Sequence, residues 1–313
     1  MKTLVTGGAG FIGSHLVDRL LAEGHDVDAI DDLSSGGLPN LAEARADGTR
    51  RFSFHRLDIR QPDLVDLIRH RQPEVIFHLA AQPSVPVSVA QPGHDAEVNI
   101  LGSLNVLQGA VAAGVRKIVF AASGGTLYGE PDDIPTKEGS PQLPICPYGV
   151  SKKAVLDYLR YYREAFDVEY TALALANVYG PRQDPMGEAG VVAIFTHSLL
   201  SGQRPTINGD GEHTRDFVFV DDVVDGFVRG AEKADGLLVN IGTGVETSVQ
   251  RVYDVMAAVL EIDGQANYGP ERAGDTRRSA LDPGRAEIHL GWTPFTSFEE
   301  GIARTLAWFR ERV

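Results

Sequence analysis

Tyr148 and Lys152 stand four positions apart in the run Tyr148-Gly149-Val150-Ser151-Lys152. On a helix that spacing puts both side chains on one face. A free phenol titrates near ~10 and is a poor base at neutral pH. A cation one helical turn away favours the phenolate and moves its pKa toward the working range. The same pair also suits an ordinary solvated helix face, so its meaning depends on what the rest of the chain builds around it.

The elements that would position it begin at the N-terminus. An apolar run, Lys2-Thr3-Leu4-Val5-Thr6, enters Gly7-Gly8-Ala9-Gly10-Phe11-Ile12-Gly13 and then a helical pattern with Phe11, Ile12, Leu16, Leu20 and Leu21 on its inner side. Gly24 stops that helix, and Asp26 to Ile30 resumes as a second strand. This strand–glycine turn–helix–strand order is the context a dinucleotide loop requires. Gly8, Gly10 and Gly13 fit one glycine spacing of such loops, and Gly7, Gly10 and Gly13 fit the wider one. Glycines allow the tight turn and let backbone N–H groups approach a pyrophosphate at the helix N-terminus. The second strand ends in Asp31-Asp32. An acid there accepts hydrogen bonds from ribose hydroxyls and repels a 2′-phosphate, which favours NAD over NADP with Asp31 as the ribose ligand.

Bulk properties suit a soluble enzyme. Of 313 residues, 43% are hydrophobic, enough for a large α/β domain and a smaller one. The net charge of −14 argues against nucleic acid or an anionic membrane as the main partner. One cysteine, Cys146, precludes an internal disulfide and suits a reducing cytoplasm, where it reads as a small hydrophobic filler. The first strand begins at residue 2, which leaves no room for a signal peptide, and no apolar run reaches membrane-spanning length. No metal-ligand cluster is expected.

Strand and helix patterns then alternate, as in a doubly wound parallel sheet. Strands are expected over 52–59, 74–82, 117–123 and 170–177, and helices over 99–113 and 148–166. Asp58 and Ile59 close the third strand at its carboxyl end, where ligands of such sheets sit. The small residues of Leu79-Ala80-Ala81 would let a cofactor pack against backbone.

Taken together, the glycine loop, Asp31, Leu79-Ala80-Ala81, Asn99, Ser123, Tyr148 with Lys152, Asn177-Val178-Tyr179-Gly180-Pro181-Arg182 and Asn240-Ile241-Gly242 carry a resemblance. The chain resembles the extended short-chain dehydrogenases/reductases of the nucleotide-sugar epimerase/dehydratase group, and within it the bacterial UDP-glucose (UDP-galactose) 4-epimerases. The resemblance runs from Lys2 essentially to the C-terminus. It implies a Rossmann-type domain over 1–175, joined by some later segments, and a UDP-sugar-binding α/β domain over 176–313. It makes Tyr148 the acid and base at the sugar 4-hydroxyl, Lys152 a ligand of the nicotinamide ribose, Ser123 the relay hydroxyl and Asn99 part of the NAD site. Carbon 4 is oxidised by NAD, the 4-keto sugar turns over, and hydride returns to its other face, so NAD is retained.

This chain departs from the group after Ser123, where Gly124 and Gly125 precede Thr126, an apparent one-residue insertion. Alignment from the strand makes Ser123 the relay; alignment back from Tyr128 would put Gly124 there. Thr126 is then a sugar contact or a second hydroxyl. The dehydratases and decarboxylases of the group carry acids in this turn, and Gly124, Gly125 and Thr126 offer none, which argues against both reactions.

In the C-terminal part the resemblance implies Asn177 as a sugar or phosphate contact, Val191 and Val192 around the uracil, Arg215 and Arg272 on the diphosphate, and Asp275 on the uridine ribose. A guanidinium fork suits diphosphate oxygens. Uronate-specific relatives often show a second arginine where this chain has Asp184, so glucose/galactose is favoured, with N-acetylhexosamine or uronate open. An idle NAD-binding sensor typically loses the tyrosine or the lysine, and both are present here. The helices 99–113 and 148–166 match those that pair in family homodimers.

Overall fold

The computed structural model describes residues 1–185, 190–271 and 276–312. Six strands alternate with helices: β1 Lys2–Thr6, β2 Asp26–Asp31, β3 Phe52–Arg56, β4 Val75–His78, β5 Lys117–Ser123 and β6 Glu169–Leu175. A later strand, Leu237–Ile241, adds beside β6, giving the spatial order Leu237–Ile241, β6, β5, β4, β1, β2, β3. All pairings are parallel. A parallel sheet is covered by helices on both faces, so its central strands carry apolar residues toward both. Leu4, Val5, Ile76, Phe77, Ile118, Val119, Ala172 and Leu173 are accordingly buried. The fold is the expected Rossmann-type doubly wound sheet, with the strand order reversing between β1 and β4, where ligands of such sheets bind.

Among the described residues the remaining C-terminal elements are helices Val191–Leu200, Val220–Gly230, Val249–Leu260, Gly284–Leu290 and Phe298–Arg310 together with three two-stranded ladders. An arginine ties this part to the first helix, Phe11–Ala22. Arg182, at φ 67°, donates to Asp18 at 2.6 Å and to Glu43 at 3.3 Å, while His15 donates to the Pro181 carbonyl at 2.9 Å.

Three expectations are corrected. Strands 52–59 and 74–82 stop early, at Arg56 and His78. Their last residues leave the ladder and turn toward a cavity, Asp58 being held there by the Arg60 N–H at 2.8 Å. The helix expected over 99–113 is α-helical only from Gly102 to Ala113, with the π-helical segment Glu97–Leu101 before it. That wider turn changes the phase of the helix, and Leu101 is 54% exposed.

The helix Pro147–Phe166 forms as anticipated. Proline at its first position has no N–H to leave unsatisfied, and Asp167 closes it in a left-handed conformation.

Candidate active site

A cavity of about 660 Å³ opens at the carboxyl ends of the strands. Its floor is the glycine turn. Gly10 precedes the helix Phe11–Ala22 with no side-chain cap, so the first-turn N–H groups stay available to an anion. Gly7, Gly10, Phe11, Ile12 and Gly13 all line this floor. Two of the glycines are required by packing within the protein. A Cβ on Gly7 (φ +71°) would lie 2.8 Å from the Ala80 nitrogen, and one on Gly13 would lie 2.0 Å from the Gly7 oxygen. Leu79, Ala80 and Ala81 continue the wall, with the Ala80 N–H donating to the Thr6 hydroxyl at 3.2 Å.

Asp31 lines the same cavity and is 8% exposed. Its oxygens accept from the Ala9 N–H at 3.0 Å and the Leu33 N–H at 2.8 Å. Burial pushes its carboxyl above the usual range, and these bonds oppose the shift. Each oxygen keeps a further lone pair for a ribose hydroxyl. Asp58 and Ile59 lie on the adjacent wall. The Arg60 fork on Asp58, as short as 2.6 Å, holds that carboxyl below its ordinary value. Arg60 also faces the cavity, but its charge is engaged there, which leaves the acid at Asp31 to set ribose preference.

Ser123, Tyr148 and Lys152 meet at the other end of the cavity. The Ser123 hydroxyl hydrogen-bonds Tyr148. β5 ends at Ser123, and Gly124 to Leu127 coil into one helical turn. Gly124 is buried, where a Cβ would sit 2.3 Å from a Leu281 methyl. Ser123, and not Gly124, lines the cavity, which agrees with alignment from the strand. The same turn presses on the next helix, where a Cβ on Gly149 would lie 2.6 Å from the Thr126 carbonyl.

Lys152 is 3% exposed, donates to the Ala121 carbonyl at 2.9 Å, and lies 4.8 Å from the Phe120 ring centre and 5.8 Å from that of Tyr148. Burial pushes its ammonium down to about 8, against the pull of Asp95. Burial likewise pushes the Tyr148 phenol well above its ordinary value, with the Ser123 hydrogen bond opposing. Burial is thus the largest influence on the phenol.

Several anticipated residues lie elsewhere. Asn99 is 2% exposed and does not line the cavity; its side chain accepts from the Gln82 N–H at 2.8 Å and donates to the Gln82 carbonyl at 3.0 Å. It shapes the wall rather than forming it. Thr126, Asn177, Val191, Val192 and Arg215 are also outside this cavity's lining. The Thr126 hydroxyl is buried without a partner, and Val192 belongs to the core at 1% exposure. Arg215 sits in a short ladder with Thr247 and Ser248 and donates to the Thr214 carbonyl at 2.8 Å. Arg272 and Asp275 lie outside the described residues.

The cavity also recruits residues that sequence reading gave no role, among them Gln82, Ser84, His94 and Gln183. Gln82 directly follows the small-residue run, so its position was the one available signal. The others come together only in three dimensions.

A family model described as GDP-mannose 4,6-dehydratase matches residues 4–305. The chain belongs to this family, one of extended short-chain dehydrogenases/reductases. It is 51% identical over its whole length to a UDP-glucose 4-epimerase of Mycolicibacterium smegmatis, 99% of which is covered. Among solved structures it is similar to the UDP-glucose 4-epimerase of Thermotoga maritima with UDP-glucose, at 44% identity and TM-score 0.95, covering 100% and 99% of the two chains. It is also similar to the Thermus thermophilus UDP-glucose 4-epimerase in complex with NAD, at 39% identity and TM-score 0.92, covering 100% of both. The turn Gly124-Gly125-Thr126 of this chain holds no acid.

Proposed function

We propose that this protein is an NAD-dependent 4-epimerase of a UDP-hexose, UDP-glucose/UDP-galactose. One observation carries the reading: Tyr148, Ser123 and Lys152 converge at one end of a cavity whose other end has the glycine floor and acid of a dinucleotide site. The epimerases it resembles, one with UDP-glucose and one with NAD, support it. NAD, when bound on the glycine turn and Asp31, supplies the acceptor and donor of hydride at carbon 4. Tyr148 takes the 4-hydroxyl proton and returns it, Ser123 holds the phenol and sugar oxygens in register, and Lys152 places a positive charge beside the phenol. Asp184 lines the same cavity, and an acid there disfavours a uronate carboxylate.

In this reading residues 1–175 with the strand Leu237–Ile241 hold NAD, and 176–313 hold the UDP-sugar through Asn177, Val191, Val192, Arg215, Arg272 and Asp275. A homodimer through the outward face of Pro147–Phe166 is supported by Val150, Tyr158 and Tyr161, which are 51%, 38% and 55% exposed. Light scattering tests it. Among the described residues no helix is long and apolar enough to cross a membrane. The lone cysteine supports a cytoplasmic setting.

The decisive experiment incubates the purified protein with UDP-glucose, UDP-N-acetylglucosamine and UDP-glucuronate separately, without added NAD, and resolves the products. Epimerised UDP-glucose is expected; conversion of the uronate alone overturns the sugar assignment. Tyr148→Phe is expected to lower turnover by about 10²–10⁴-fold with NAD retained, and full activity of that variant overturns the mechanism.

A further inference from the structure

Behind the cavity wall lies an acid that the reaction does not use directly. Asp95, in the short helix Pro92–Ala96, is fully buried at 0% exposure. One of its oxygens accepts from Gln82 Nε2 at 3.0 Å and from Asn99 Nδ2 at 2.9 Å. The other accepts a short hydrogen bond from the Ser151 hydroxyl. All three donors are neutral, and a buried carboxylate without a cation is costly. Ser151 immediately precedes Lys152, whose own Nζ bonds only the Ala121 carbonyl among the described residues.

We propose that Asp95 is a positioning residue for the epimerase site, supplying across Ser151 the countercharge that keeps the buried Lys152 ammonium charged and its helix seated. The inference rests on the function proposed above. It explains why Asn99 and Gln82, which shape the cavity wall, share one acceptor with the helix that carries Tyr148. The acid acts on Lys152 without contacting it, so the lysine's remaining protons stay available to the cavity.

The surrounding charges leave this task to Asp95. His78 on β4 is pushed down to about 3, by burial first and Lys152 second, and is neutral. Its ring is held between the Thr6 and Ser103 hydroxyls at 2.7 and 2.8 Å. Glu97 on the π-helical segment points outward, its side chain 60% exposed and 3.8 Å from Arg60. His94 faces the cavity on the side of Asp58. Burial keeps the Tyr148 phenol on the same helix neutral. Asp95 thus supplies the negative charge that supports the Lys152 ammonium.

The test compares wild type, Asp95→Asn and Ser151→Ala in the NAD-loaded protein. Nitrogen-15 NMR follows the Lys152 ammonium and needs no sugar. An opposite charge within a few ångströms shifts a neighbour by about 1–3 units. The Lys152 midpoint in Asp95→Asn is therefore expected to fall by about one unit or more, and that in Ser151→Ala to stay near wild type. On whichever UDP-sugar the wild type converts, the basic limb of kcat is expected to move with the midpoint. A folded Asp95→Asn with normal NAD content and an unmoved midpoint overturns the proposal, as does Ser151→Ala shifting as far as Asp95→Asn. The smaller neutral Asp95→Ser serves the same comparison where the amide does not pack. Failure of both neutral variants to fold assigns the acid to architecture and also overturns it. A wild type that converts no UDP-sugar sinks the functional reading alone, since the NMR comparison still decides this one.

Discussion

Gly10 and Gly13 sit three residues apart in one turn, and the structure gives them different duties. A Cβ at Gly13 would lie 2.0 Å from the Gly7 oxygen and 2.8 Å from the Gly7 carbon, both backbone atoms that cannot swing aside. Contacts under 3.0 Å do not occur for real Cβ atoms, so Gly13→Ala forces the turn open by about 1 Å. Overpacking of this kind costs about 2–3 kcal/mol. For a chain of 313 residues that lowers Tm by roughly 3–5 °C. At Gly10 the added methyl meets only the Gly7 oxygen, at 3.2 Å, and otherwise projects into open space on the cavity floor. Nucleotide-free Gly10→Ala is therefore expected to melt within about 2 °C of wild type while losing tenfold or more in NAD affinity, since the methyl occupies ground the pyrophosphate needs. Differential scanning fluorimetry on nucleotide-stripped protein, with NAD titrated by calorimetry, separates the two effects. Equal Tm losses in both variants, or a wild-type Tm in Gly13→Ala, refute the assignment.

Three further outcomes follow from the geometry. The Lys152 ammonium, lowered to about 8, is charged below that pH and neutral above it, so turnover is expected to fall as pH rises through about 8; a rate still climbing at about pH 9 removes its charge from the mechanism. Asp31→Asn keeps an acceptor for the Ala9 or Leu33 N–H but removes the charge, and is expected to weaken NAD by about 1–2 kcal/mol while narrowing discrimination against NADP; unchanged Kd values for both cofactors contradict the ribose role. Arg182→Ala strips the partner from Asp18, one of whose oxygens is already buried without a hydrogen bond, and is expected to cost about 1–3 kcal/mol in urea unfolding; an unchanged midpoint shows that the tie between Pro181–Arg182 and the first helix contributes nothing.

The sequence carried the parts of this design that are local. Glycine spacing, the acid closing β2 and the i, i+4 pair Tyr148/Lys152 are all short-range patterns, and each lies on the cavity. Strand ends were less legible because the residues after Arg56 and His78 have β-forming composition but are drawn out of the ladder by the cavity and by Arg60. The π-helical segment at Glu97–Leu101 left no periodic signature, since a single wider turn shifts phase without changing residue types. Asp95 was invisible for a different reason: its partners Gln82, Asn99 and Ser151 lie on three separate segments of the chain.

The reactive pair itself is less self-sufficient than its spacing suggests. Burial drives the phenol of Tyr148 and the ammonium of Lys152 each toward its uncharged form, and the four-residue spacing does not overcome that. What opposes these shifts comes from outside the pair, from the charge of Asp95 on the lysine and from the neutral Ser123 hydroxyl on the phenol. Ser123 can reach Tyr148 because β5 ends there and Gly124 turns the chain at once. The same turn limits the chemistry. A side chain at Gly124 would strike Leu281 at 2.3 Å, so packing keeps an acid out of the first position after the relay serine, whereas Gly125 has open space around it. Elimination or decarboxylation in this family needs an acid that this turn does not hold. In the proposed epimerisation the side chains would move only the proton of the 4-hydroxyl, a task for Tyr148 with Ser123 and Lys152 beside it, while NAD would supply the acceptor and donor of hydride.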